Sequence, residues 1–136
     1  MNKEIYILHT DGGARGNPGP AASAAVLFDS SYNQIDARGE YIGETTNNQA
    51  EYQGLIIGLK LAKKNQIKNL IIRMDSELIV KQMMGVYKIK EPSLKMMATL
   101  VKQQLSELGE YKFEHVRREN NKVADALVNL VLDKKA

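Results

Sequence analysis

The segment Ile5-Tyr6-Ile7-Leu8-His9-Thr10-Asp11, continued by Gly12-Gly13-Ala14-Arg15-Gly16-Asn17-Pro18-Gly19-Pro20, decides how the rest of the chain is read. Ile5, Ile7 and His9 alternate with Tyr6, Leu8 and Thr10. This is the two-residue period of a β-strand, expected to end at Asp11. A glycine- and proline-rich turn should follow. Ala24 to Phe28 and Ile35 to Ile42 then read as second and third strands, separated by Asp29, Ser30, Ser31 and Asn33. Short connections between successive strands predict a three-stranded antiparallel start.

At Asn48 the period changes. Tyr52, Leu55, Ile56, Leu59 and Ala62 recur three or four apart up to Lys64, as on one face of a helix. Gly54 and Gly58 also lie four apart, and glycine costs about 1 kcal/mol against alanine inside a helix. Two on one face therefore predict close packing against a sheet. Leu70 to Met74, bounded by Asn69 and Asp75, reads as a buried strand, and Ser76 to Met84 as a short helix stopped at Gly85. Leu94, Met97, Ala98, Val101, Leu105 and Leu108 predict an amphipathic helix with Pro92 in its first turn and Gly109 as its C-cap. Tyr111 to Val116 reads as a last strand and Asn121 to Leu132 as a last helix, with Asn121 as its cap. Hairpins first and alternating elements later predict an α/β fold, a mixed sheet flanked by helices.

The 136 residues fill one domain, 43% are apolar and 26% charged, and a core of ordinary size is expected without covalent staples. The absence of cysteine excludes a disulfide framework, thiol catalysis and thiolate zinc sites. Two separated histidines, His9 and His115, argue against a histidine-rich metal site, and both read as structural. No apolar run approaches the length of a membrane span, and the N-terminus lacks the apolar core of a signal peptide, so the expected compartment is cytoplasmic, with no membrane and no obligate protein partner. The net charge is +3; with four of the sixteen acids gathered in one metal site, twelve would face nineteen bases, a net of +7 that suits a nucleic-acid-binding surface.

Four acids fall at the boundaries of these elements: Asp11 at the end of strand one, Glu51 in the first turn of the first helix, Asp75 at the end of strand four, and Asp125 early in the last helix. Open α/β sheets bind ligands at the carboxyl ends of their strands. Clustered carboxylates repel unless a cation neutralises them, and hard oxygen donors without Cys or clustered His point to magnesium or manganese. Two such ions are a common means of hydrolysing phosphodiesters. A single acid of this kind is otherwise a helix-dipole partner or a solvated charge, so its neighbours decide.

Those neighbours are Asp11-Gly12-Gly13-Ala14-Arg15-Gly16-Asn17-Pro18-Gly19-Pro20, Thr45-Thr46-Asn47-Asn48-Gln49-Ala50-Glu51, Asp75-Ser76-Glu77-Leu78 and Asn120-Asn121-Lys122-Val123-Ala124-Asp125-Ala126-Leu127. Over essentially its whole length and in the same order, the chain resembles the type 1 ribonucleases H. The resemblance implies one ribonuclease H domain over residues 1–136, a ribonuclease H-like fold with a five-stranded mixed sheet, and endonucleolytic cutting of the RNA strand of RNA/DNA hybrids, leaving 5'-phosphate and 3'-hydroxyl ends. It also implies two magnesium ions, with manganese as a substitute. Asp11 would bridge both, Asp125 would hold the ion that carries the attacking water, and Glu51 with Asp75 the other.

By the same resemblance Gly12 and Gly13 would lie against the hybrid, Asn17, Asn48 and Gln49 would read 2'-hydroxyls or minor-groove edges, and Thr46 would bind a DNA phosphate. The 2'-hydroxyl distinguishes RNA from DNA, and amides both donate to it and accept from it. The bland readings are a tight turn for the glycine-rich segment and helix capping for Thr45 to Gln49, and capping is compatible with recognition. The chain departs from many family members in two places. The Arg117-Arg118-Glu119-Asn120 loop carries no histidine, and the interval Gly85 to Ser93, with only Lys88, Lys90 and Tyr87, leaves no room for a basic handle. Competing functions are a nuclease of this fold acting on another duplex, such as double-stranded RNA, and a catalytically silent nucleic-acid-binding module.

Overall fold

The computed structural model describes residues 4–135. Five strands, β1 (Ile5–Ala14), β2 (Gly19–Phe28), β3 (Gln34–Thr45), β4 (Asn69–Met74) and β5 (Glu110–His115), form one sheet in the order β3-β2-β1-β4-β5. β1 pairs antiparallel with β2 and β2 with β3, whereas β4 lies parallel to both β1 and β5. The helices are α1 (Asn47–Lys64), α2 (Glu77–Met83), α3 (Pro92–Leu105) and α4 (Lys122–Lys135). This is the mixed sheet that the order of elements predicts.

β2 shows why the sheet needs cover on both sides. It is buried along nearly its whole length. Ala25 and Leu27 pack with Leu8, Leu55 and Leu59 in the larger core beneath α1, while Ala22, Ala24, Val26 and Phe28 meet Ala124, Val128 and Leu132 of α4. α3 adds Leu94, Ala98, Val101 and Leu105 to the α1 side. Within that core, the fully buried Tyr52 keeps its hydroxyl satisfied by donating to Gln82 Oε1 at 2.7 Å.

The close packing expected of α1 is present, and it extends further along the chain than Gly54 and Gly58. A Cβ on Gly54 would stand 2.5 Å from the carbonyl oxygen of Asp11, and one on Gly12 would stand 2.2 Å from the carbonyl carbon and oxygen of Ala50. The backbones of α1 and β1 are therefore nearly in contact beside Asp11 and Glu51. Ser23 Oγ reinforces this seam by donating to Ala50 O at 2.7 Å.

The structure corrects several boundaries. β1 does not end at Asp11: Gly12, Gly13 and Ala14 continue it, paired with Ser23, Ala22 and Ala21, and the turn itself is residues 15–18, closed by Arg15 N donating to Pro20 O at 2.8 Å. Small residues on β2 let the glycines lie in a strand where local propensity predicts a turn. Glu51 lies in the second turn of α1, because the helix begins at Asn47 with Thr46 as its cap. α3 ends at Leu105 with Ser106 as its C-cap, so Gly109 is not the cap; its N–H donates to Lys68 O at 2.7 Å and leads into β5. α2 and α3 are joined by residues 84–91 without an intervening helix.

Candidate active site

The parallel pairing of β1 with β4 runs Ile5 opposite Asn69 to His9 opposite Arg73. Carried two residues on, that register sets Asp11 level with Asp75, one residue past the end of β4. Glu51 reaches the same rim from α1 across the Gly12 contact. Among the described residues, Asp11, Glu51 and Asp75 bring carboxylate oxygens within 4.8 Å of one another. Asp125 is not in this triad. It lines the same cavity of about 360 Å³ from the first turn of α4, with Oδ1 3.7 Å from Arg118 Nη2.

The electrostatics of the triad suit a cation. Burial raises the Asp11 carboxyl to about 7 from an ordinary 3.8; a hydrogen bond with Glu51 opposes the rise and the Asp75 charge adds to it. Glu51 is pushed well above the carboxylate range, by burial first and then by the charge of Asp11. Glu51 Oε1 is buried with no hydrogen-bond partner. Buried polar atoms are rarely left unmatched. An orphaned oxygen, two carboxyls forced towards protonation and a donor set made of hard oxygens fit a divalent cation of the magnesium or manganese type.

The segments on either side of the cavity are tied to each other. Ala14 N–H donates to Asn47 Oδ1 at 2.8 Å, and Asn47 N–H donates to Asn17 Oδ1 at 3.0 Å. Thr46 Oγ1 accepts from Gln49 N–H at 3.2 Å, and the Gln49 side chain meets the Thr45 hydroxyl. The capping reading of Thr46 is thus present in the structure, and Asn17 fixes the turn against the start of α1. Gly12, Gly13, Asn47 and Asn48 line the cavity.

Two residues do more than their local sequence indicates. Asn121 is not the side-chain cap expected of it. Its carbonyl starts α4 by accepting from Asp125 N–H, but its side chain is buried and turns to β1, donating to Thr10 O at 2.9 Å and to Asp75 Oδ2 at 3.3 Å. His9 is buried as a structural histidine should be, with Nδ1 2.9 Å from Asn121 Oδ1. Burial lowers its pKa; the Asn121 hydrogen bond opposes this and the charge of Arg73 adds to it. His115, exposed at the end of β5, donates from Nε2 to the Asp75 carbonyl at 3.3 Å. Asn47 and Asn121 were open to detection only as polar residues near the acids.

A sheet in the order β3-β2-β1-β4-β5 with carboxylates at the β1/β4 rim defines the class, and the family model described as "Reverse transcriptase-like" matches residues 9–131. A ribonuclease HI of Halobacterium salinarum is 38% identical over 123 residues, covering 90% of this chain and 62% of that protein. A bifunctional protein of Mycobacterium tuberculosis is 39% identical over 128 residues, 93% of this chain but 35% of that protein. LC11 ribonuclease H1, solved in complex with an RNA/DNA hybrid, superposes with a TM-score of 0.90 at 45% identity, covering 96% of this chain and 98% of that one. The chain belongs to the type 1 ribonuclease H family. It spans about a third of the mycobacterial relative and less than two thirds of the halobacterial one.

Proposed function

We propose that this chain is one ribonuclease H domain that hydrolyses the RNA strand of RNA/DNA hybrids at two divalent ions, leaving 5'-phosphate and 3'-hydroxyl ends. The observation that carries the reading is the convergence of Asp11, Glu51 and Asp75 within 4.8 Å at the strand rim, with one Glu51 oxygen buried and unmatched. Similarity to a ribonuclease H1 solved with a hybrid supports it. Asp11, Glu51, Asp75 and Asp125 are the ligands. When bound, magnesium or manganese supplies activation of water and stabilisation of the leaving oxygen.

The remaining work falls to the chain. Burial and mutual repulsion push Asp11 and Glu51 towards protonation, and a bound cation would favour their ionised forms. The seam between Gly12 and Ala50 keeps Glu51 over the rim. Gly12 and Gly13 offer close backbone approach, Asn17, Asn48 and Gln49 face the RNA strand, and Thr46 a DNA phosphate. Labelled hybrid, duplex RNA and duplex DNA, each incubated with magnesium, manganese or chelator, test the reading. Metal-dependent cleavage of hybrid RNA is expected, with the product ends mapped; equal cleavage of all duplexes, or none of the hybrid, would overturn it.

Asn48→Ala should lower kcat/KM for hybrid by an amount on the order of 1 to 3 kcal/mol, the loss of a desolvated hydrogen bond. Thermal melting is the control: activity that falls only in step with stability reduces the segment to a cap. A second expectation concerns grip. Residues 84–91 carry only Lys88 and Lys90 as cations, and each phosphate contact adds about 0.9 to the slope of log K against log salt on B-form duplex. Binding of hybrid to the Asp11→Asn variant in calcium should be weak and its salt slope shallow. A steep slope, or a large loss on replacing both lysines, would place substrate contacts in that link.

A further inference from the structure

Asp75 stands in a bend one residue beyond β4, where the strand ladder no longer fixes its side chain. The side chain that reaches its carboxylate from behind the cavity is Asn121, and Asn121 is itself held by a line of groups from distant parts of the chain. Arg73 Nε donates to Glu114 Oε1 at 2.8 Å, and Arg73 Nη1 donates to the Tyr32 hydroxyl. That hydroxyl is 3.0 Å from His9 Nε2, and His9 Nδ1 is 2.9 Å from Asn121 Oδ1.

Chemistry assigns a direction to every link. The Thr10 carbonyl can only accept, so the Asn121 amide must present Nδ2 to Thr10 and Asp75 and Oδ1 to His9. An amide oxygen can only accept, so His9 donates from Nδ1, and in the neutral ring Nε2 is then an acceptor. A guanidinium can only donate, so Tyr32 accepts from Arg73 and directs its own proton to His9 Nε2. No group in the line can turn over without leaving two donors or two acceptors facing each other.

Tyr32 is set in place for this contact. Its φ is +65°, in the left-handed region that an aromatic residue rarely occupies, inside a turn in which Asp29 Oδ1 accepts from Ser31 N–H and Asn33 N–H at 2.9 Å each. Its ring is about half exposed, lies 5.1 Å from that of Phe28, and has the Arg73 guanidinium 5.6 Å from its centroid.

We propose that Tyr32, His9 and Asn121 are positioning residues that orient the Asp75 carboxylate towards the divalent ion, through a directed hydrogen-bond chain anchored on Arg73 of β4. The inference deepens the function proposed above and rests on it. Partners that orient metal ligands from behind typically change metal affinity or activity by about 10- to 100-fold when removed. Asn121→Ala should fall in that range. His9→Leu should weaken the site by about 10-fold and Tyr32→Phe, which removes one oxygen from a half-exposed ring, by about 3-fold. His9→Asn, which retains a donor towards Asn121, should recover most of the loss.

The test is calorimetric titration of each variant with manganese, beside the magnesium concentration for half-maximal cleavage and the kcat and KM for hybrid. Weakened manganese binding and a raised magnesium requirement with KM unchanged are expected. The 15N spectrum of the metal-free protein should show His9 protonated on Nδ1, and the Nε2 signal should move in Tyr32→Phe. Should His9→Leu fail to fold, Tyr32→Phe alone decides. If Tyr32→Phe and His9→Leu bind manganese as tightly as wild type and lose only melting temperature, the chain is packing and the proposal fails. A wild-type protein that binds manganese but does not cleave hybrid would overturn the proposed substrate, while the affinity series would still decide this inference.

Discussion

Asp11→Asn should abolish metal-dependent cleavage, by at least about 1000-fold in kcat, the scale on which removal of one transition-state-stabilising group is felt. The amide keeps the shape of the side chain and loses the charge, so the circular dichroism spectrum and hybrid binding should persist. The same variant gives a second readout without metal. Folded Asp11 titrates near 7 and the unfolded side chain near 3.8, so between those values the folded state holds more protons. Metal-free wild-type protein therefore loses stability as pH rises through that window, by at most about 1.4 kcal/mol per pH unit for each proton, and the penalty is complete above the folded value. Asparagine cannot ionise. In chelator, Asp11→Asn should melt above wild type at pH 7.5, and the gap should close towards pH 4. Turnover like wild type in magnesium, or a gap that widens on acidification, would remove Asp11 from its role.

Gly12→Ala should produce the largest loss of stability. Its methyl would lie 2.2 Å from the carbonyl carbon and oxygen of Ala50 and 2.5 Å from Glu51 N, all backbone atoms that cannot swing aside. α1 would have to lift from β1, a seam already tight at Gly54. The cost should reach about 3 kcal/mol or more, at the upper end of core overpacking, and lower Tm by roughly 10 °C. Glu51 moves with Ala50, so cleavage below the new Tm should fall as well. Gly13→Ala is the control, because its nearest atom would be Val128 Cγ1 at 3.8 Å, an ordinary contact. Equal melting of the two variants would show that the close approach at Gly12 is not what fixes the helix.

These effects differ in how far the chain itself discloses them. Asp11 and Glu51 stand out by their flanking motifs, and the helical spacing of Gly54 and Gly58 announces a tight seam. The part played by Gly12 does not, because a glycine after a strand reads equally as a turn. What keeps it in β1 is the ladder to Ser23, eleven residues on, and the carbonyl of Ala50. Asn121 is the sharper case: beside a helix start, asparagine reads as a cap, and nothing local points to Thr10, His9 or Asp75.

By itself the sequence determined the kinds and order of the elements, the glycine-marked helix and the four acids, because side-chain period, turn chemistry and motif spacing act over a few residues. The tertiary structure decided which carboxylates meet. The parallel register of β1 and β4 brings Asp75 to Asp11 and Glu51, while the docking of α4 leaves Asp125 outside that triad on the same cavity. It also decided that His9 and Asn121, 112 residues apart, share a hydrogen bond. Such contacts depend on where whole elements pack, and that is set by the summed burial of both sheet faces rather than by any residue's neighbours in the chain.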